Sequence, residues 1–140
     1  MICDPPAGDD RVGSPSSASA PALPPGVPPL RSFYLYLTTG CNLACRHCWI
    51  TPSFVNGAPS PGDCLTPEAV SAAVEAARPL GLMHAKLTGG EPMLHPGFRD
   101  IVLRLRAAGL SMDLETNGTL IDAPAARFLR EDAGVGFVSV

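Results

Sequence analysis

Phe33-Tyr34-Leu35-Tyr36-Leu37-Thr38-Thr39-Gly40-Cys41-Asn42-Leu43-Ala44-Cys45-Arg46-His47-Cys48-Trp49 is the stretch from which the rest of the chain is best read. Its first five residues are aromatic and aliphatic, which predicts a buried strand. The strand runs directly into a loop carrying Cys41, Cys45 and Cys48 in a C-x3-C-x2-C pattern. Spacings this short let one loop wrap a metal centre, and thiolates suit iron–sulfur clusters or zinc. Three ligands rather than four is the informative feature. A purely structural site is normally closed by a fourth protein ligand, whereas three thiolates leave one position open to an outside molecule.

Downstream, Pro52, Gly57, Pro59, Pro61 and Gly62 predict a long loop. Thr66-Pro67-Glu68 then opens a helix with a capping hydroxyl, a proline in the first turn and an acid near the positive helix end. That helix reaches about Arg78 and stops at Pro79 and Gly81. Met83 to Thr88 reads as a strand ending in Gly89-Gly90, and Gly97 to Ala108 as a helix with Phe98, Ile101, Val102 and Leu105 on one face and Gly109 as its C-cap. Leu110 to Glu115 alternates as a third strand, Asp122 caps a third helix through Arg130, and Val135 to Val140 begins a fourth strand. The order βαβαβαβ predicts a parallel sheet with right-handed crossovers.

Composition narrows the function classes. The 140 residues carry 10 basic and 13 acidic side chains, too few and too scattered for a nucleic-acid or anionic-membrane surface. No run approaches the roughly 18 apolar residues of a membrane span, and Met1 to Pro6 lacks the regions of a secretory signal. Five cysteines, three of them within eight residues, suit a metal site in a reducing, cytoplasmic setting better than a disulfide framework. Half of the 16 prolines precede residue 30, so residues 1–31 are expected to be a disordered Pro/Ser/Ala-rich leader and residues 32–140 the folded part.

A second constellation, Leu87-Thr88-Gly89-Gly90-Glu91-Pro92-Met93-Leu94-His95-Pro96, closes the second predicted strand, and Glu115-Thr116-Asn117-Gly118 closes the third. Together with the cysteine loop, these residues resemble the radical S-adenosylmethionine (SAM) superfamily over about Ser32 to Val140. The resemblance implies a partial (βα)6 TIM-like barrel of which this chain is the N-terminal part, with the site at the C-terminal strand ends. It implies that Cys41, Cys45 and Cys48 ligate three irons of a 4Fe–4S cluster, and that SAM chelates the fourth. Gly89, Gly90 and Glu91 would engage the methionine amino group, and His47 would lie near adenine. Asn117 would stand at the same mouth, and Ser139 would open a strand motif that reaches the ribose.

The activity so implied is reductive cleavage of SAM to a 5′-deoxyadenosyl radical that abstracts hydrogen from a substrate. Reduced flavodoxin or ferredoxin would be the electron donor, and peptide, protein or tetrapyrrole maturation the setting. No side chain is assigned a catalytic role, because the cofactors carry the hard chemistry.

Other residues have plainer readings. His84 is expected in the core or at the surface, and His95 as a brace for the following helix. Cys64 and Cys3 are expected to be thiols outside the cluster, and Trp49 to shield it. Asp113 and Glu115 alternate with the apolar face of their strand, Glu115 with the option of pointing inward. Because the sequence stops within an apolar strand, the chain is expected to be a fragment with an exposed edge, inactive and aggregation-prone on its own. The rival reading is a non-catalytic zinc- or cluster-binding remnant.

Overall fold

The computed structural model describes residues 23–50, 54–55, 58–59 and 64–140. Its elements are β1 (Ser32–Tyr36), β2 (Phe54–Val55), β3 (Ala58–Pro59), α1 (Pro67–Ala77), β4 (His84–Thr88), α2 (Phe98–Ala107), β5 (Ser111–Glu115), α3 (Ala123–Arg127) and β6 (Phe137–Ser139). The main sheet has the order β1-β4-β5-β6 with every neighbouring pair parallel. Each strand of this sheet therefore lies beside the next one in the chain, the singly wound order that a βα barrel requires. The expected fold class holds.

The helices form where their local chemistry favours them. The Thr66 hydroxyl accepts the Ala69 N–H at 3.1 Å, and the Asp122 carboxylate accepts the Ala125 N–H at 2.8 Å, so α1 and α3 both start on a side-chain cap. Gly109 follows α2 with φ +78°, a left-handed conformation that stops the helix. Val70, Val74 and Ala77 of α1 and Phe98, Ile101, Val102 and Leu105 of α2 pack on Leu35, Leu37, Ala85, Leu87, Met112 and Leu114 of the sheet region. These strand residues share one face, because side chains alternate along a strand.

The opposite face differs from expectation for β1. Tyr34 and Tyr36 are 62% and 43% exposed, because the helices cover only one side of the sheet. Tyr34 lies in register with Lys86 and Asp113, and Tyr36 with Thr88, so this uncovered face is polar. Lys86 Nζ contacts Glu115 Oε1 at 2.6 Å and lies 5.5 Å from the Tyr34 ring centroid. The bond from Lys86 holds the Glu115 carboxyl below its usual range. His84 reaches Ser111 at 3.0 Å and Asp113 at 3.5 Å on the same face.

Three further differences are local. The predicted loop contains the antiparallel β2–β3 pair. The third helix widens into a π-helical turn over Phe128–Asp132, and β6 has three residues rather than six. Residues 1–22, including Cys3, lie outside the described residues, but the end of the expected leader is held: Leu30 N–H donates to the Leu80 carbonyl at 3.0 Å. Among the described residues no helix is long and apolar enough to cross a membrane.

His95 braces the start of α2 as expected. Its Nδ1 accepts the Gly97 N–H at 2.9 Å and its Nε2 donates to the Leu65 carbonyl at 2.8 Å, which defines the neutral Nε2–H tautomer. Burial pushes its pKa down. A depressed histidine pKa means the unfolded chain binds the proton more readily, so this stability is complete above about pH 6.5 and lost as pH falls through the folded value. Urea midpoints measured from neutral to mildly acidic pH are expected to fall, with a flatter slope in His95→Leu. Ile101, fully buried, is expected to cost about 2–5 kcal/mol on truncation to Ala. The same change at Leu103, which is 44% exposed, should cost within about 0.5 kcal/mol. Equal effects at the two positions in urea unfolding would contradict the packing described.

Candidate functional site

All three sequence motifs meet at the C-terminal ends of β1, β4 and β5. The backbone brings the first two together: Leu37 N–H donates to Thr88 O at 2.9 Å, Gly90 N–H to Thr38 O at 2.8 Å, and Glu91 N–H to Gly40 O at 2.8 Å. This approach depends on the glycine pair. Gly89 has φ +138°, and a Cβ there would stand 2.5 Å from Thr38 O. A Cβ on Gly90 would run into the Gly40 carbonyl. Two side chains at these positions would push the root of the cysteine loop off the sheet.

Glu91 is fully buried. Its Oε1 accepts the Met93 N–H at 3.0 Å and the Thr116 hydroxyl at 2.8 Å, and its Oε2 accepts the Asn117 N–H at 2.8 Å. A buried carboxylate needs such donors to offset its desolvation. The same contacts tie the β4 end to the β5 end. Glu91 thus positions the neighbouring strand-end motif with both of its oxygens engaged.

Asn117 links that motif to the cysteine loop. Its Nδ2 donates to Asn42 Oδ1 at 2.8 Å and approaches Cys41 Sγ at 3.7 Å. Its Oδ1 accepts the Thr119 hydroxyl at 2.7 Å and the Thr119 N–H at 3.0 Å. Asn42 Nδ2 donates to Thr119 Oγ1 at 2.8 Å, which closes a ring of three side chains. Asn42, Thr116 and Thr119 were not singled out by the sequence reading. The signal for Thr116 and Thr119 was the Asn-Gly turn at 117–118, where short polar side chains bond to neighbouring backbone, whereas Asn42 comes from 75 positions away.

The cysteines occupy different environments. Cys41 is buried at the root of the loop and also accepts the Leu43 N–H at 3.4 Å. Cys48 is half-buried and Cys45 exposed, joined by a turn in which Cys48 N–H donates to Cys45 O at 3.1 Å. None of the three is in a disulfide. Among the described residues no three His, Cys, Asp or Glu side chains converge on a single metal ion. Three thiols on one arm are soft donors of the kind an iron–sulfur cluster takes, and zinc would accept the same chemistry. The donor set fits such a cluster.

His47 is exposed on the same arm, and Ser139 lies at the end of β6 in register with Glu115. Trp49 is 76% exposed, with its ring edge-on to Tyr36 at 5.6 Å. Cys64 bridges to Thr38 beside the β1 end, with its Sγ 3.7 Å from Thr38 Oγ1.

Glu91→Gln is expected to lower the unfolding free energy by about 1–3 kcal/mol, because either amide orientation sets an NH2 group against a donor. Urea unfolding checks this, and an unchanged midpoint would contradict the buried carboxylate's role as an acceptor of three bonds.

The sequence profile of the radical SAM superfamily matches residues 35–140. A probable GTP 3′,8-cyclase of Pyrococcus horikoshii is 31% identical over 112 residues, covering 80% of this chain and 34% of the relative. An AdoMet-dependent heme synthase of Oleidesulfovibrio alaskensis is 34% identical over 118 residues, covering 84% of this chain and 29% of the relative. The chain therefore spans about a third of the length of these curated relatives. Streptococcus suis SuiB bound to S-adenosylmethionine superposes with a TM-score of 0.61 at 16% identity, over 79% of this chain and 24% of SuiB. That likeness is one of fold. With the profile running from β1 to the end of β6 and beyond, and with relatives above 30% identity over four-fifths of its length, the chain belongs to the radical SAM superfamily.

Proposed function

We propose that this chain is the cofactor-binding part of a radical SAM enzyme, carrying a 4Fe–4S cluster on Cys41, Cys45 and Cys48. The observation that carries the reading is the union of three thiols on one arm with the Gly-Gly-Glu and Thr-Asn-Gly strand ends. Thiols alone would serve zinc equally well, but a zinc site leaves the other two strand ends without a purpose.

In this reading Cys41, Cys45 and Cys48 would hold three irons and leave the fourth for the amino and carboxylate groups of SAM. Gly89, Gly90 and Glu91 would offer backbone polar groups to the methionine amino group, with the Glu91 carboxylate holding that turn in place. His47 is assigned to the adenine side, Asn117 to the mouth beside Cys41, and Ser139 to the ribose side. When bound, the two cofactors supply one-electron cleavage of the C–S bond, giving methionine and a 5′-deoxyadenosyl radical that takes hydrogen from a substrate. The electron comes from reduced flavodoxin or ferredoxin, which places the enzyme in a reducing compartment, the cytoplasm.

For the substrate, the names of the sequence relatives favour cofactor building: a heme synthase supports the tetrapyrrole class, and GTP 3′,8-cyclases add a nucleotide. Peptide maturation has weaker support, since the peptide-bound SuiB structure is related at 17% identity only.

Anaerobic reconstitution with iron and sulfide tests the cluster assignment. Roughly four iron and four sulfide per chain are expected. Alanine at Cys41, Cys45 or Cys48 should each abolish retention, while Cys64→Ala should leave it intact. One zinc and no sulfide, or retention in all three variants, would overturn the assignment.

A further inference from the structure

We propose that the Asn42–Asn117–Thr119 ring sets the orientation of the Asn117 amide so that its N–H is directed at Cys41 Sγ, and that this contact raises the reduction potential of the cluster bound there. The inference rests on the cluster reading above and goes beyond it.

The ring leaves the amide one orientation. Thr119 presents two donors, its hydroxyl at 2.7 Å and its N–H at 3.0 Å, and both require the oxygen of Asn117. Asn42 presents its carbonyl oxygen at 2.8 Å, which requires the nitrogen. Turning the amide over would set donor against donor at Thr119 and oxygen against oxygen at Asn42. The ring thereby holds one N–H of Nδ2 on Asn42 and leaves the other for Cys41 Sγ, 3.7 Å away. Asn42 is itself fixed, since its own amide nitrogen is committed to Thr119 Oγ1 at 2.8 Å.

Cys41 is the buried cysteine of the loop, where the field of a fixed dipole is least screened by water. A hydrogen bond to a cluster sulfur stabilises the added electron more than the oxidised state, so it moves the potential upward. Asn117 acts on the ligand directly. Asn42 and Thr119 act through Asn117 and are positioning residues. The Leu43 N–H, 3.4 Å from the same sulfur, is a backbone donor that side-chain changes at 117 and 119 leave in place.

The test is an EPR-monitored redox titration of the reconstituted chain without SAM, comparing wild type with Asn117→Ala, Thr119→Val and Thr119→Ser. Iron and sulfide content and thermal melting are recorded for each. The expected result is a midpoint potential shifted negative in Asn117→Ala, shifted less in Thr119→Val, and restored in Thr119→Ser, at unchanged iron content and melting. Loss of iron in Asn117→Ala with unchanged melting of the apo chain would overturn the proposal, because the ring would then serve cluster retention rather than the potential. A wild-type potential in Asn117→Ala at full iron content overturns the proposal. So does iron loss accompanied by a collapse of the melting transition, which would assign the ring to folding alone. Failure of the wild type to take up any cluster would instead defeat the reading on which the inference rests.

Discussion

The buried carboxylate of Glu91 is the interaction on which the arrangement of the site depends. A charge removed from water at the end of β4 must be matched by donors, and the donors are the Thr116 hydroxyl and the Asn117 N–H at the end of β5, with Met93 completing the set. That requirement fixes two strand ends relative to each other more tightly than sheet pairing alone, because the β4–β5 pairing stops at Leu87 and Leu114. Once Asn117 is placed, its side chain reaches back to Asn42 and Cys41 of the cysteine loop. The glycine pair ahead of Glu91 lets the root of that loop sit directly on the turn.

Two faces of one sheet divide the work of folding and of chemistry. The helix-covered face carries the aliphatic core, and its burial supplies most of the stabilisation. The opposite face carries Tyr34, Tyr36, Lys86, Asp113 and Glu115, with Lys86 ion-paired to Glu115 and in cation–π contact with Tyr34. In a βα barrel this second face turns toward the axis, beneath the strand ends where cofactors assemble. The same strands therefore position the cysteine loop at their ends and a polar wall below it.

Much of this was legible in the sequence. Helix starts at Thr66 and Asp122 and the stop at Gly109 are local events, decided by a capping side chain or a left-handed turn within a few residues. The strand-end motifs were legible because their spacing and residue types are unusual. What escaped was non-local. Nothing in Asn42 or Thr119 alone says that they meet across 77 positions of chain. The exposure of Tyr34 and Tyr36 depends on which face the helices take, and the aromatic run of β1 reads equally well as buried on both. The three donors around the Glu91 carboxylate escaped for the same reason, because a carboxylate after a Gly-Gly turn gives no sign of the groups that fold around it.

The central claim is that three thiols leave one iron open to SAM, and the most direct measurement is the EPR spectrum of the dithionite-reduced, reconstituted chain before and after SAM is added. The account predicts a 4Fe–4S signal whose g-values shift on addition, since amino and carboxylate ligation at one iron alters the electronic structure of the whole cluster. A 4Fe–4S signal that saturating SAM leaves unchanged would contradict it.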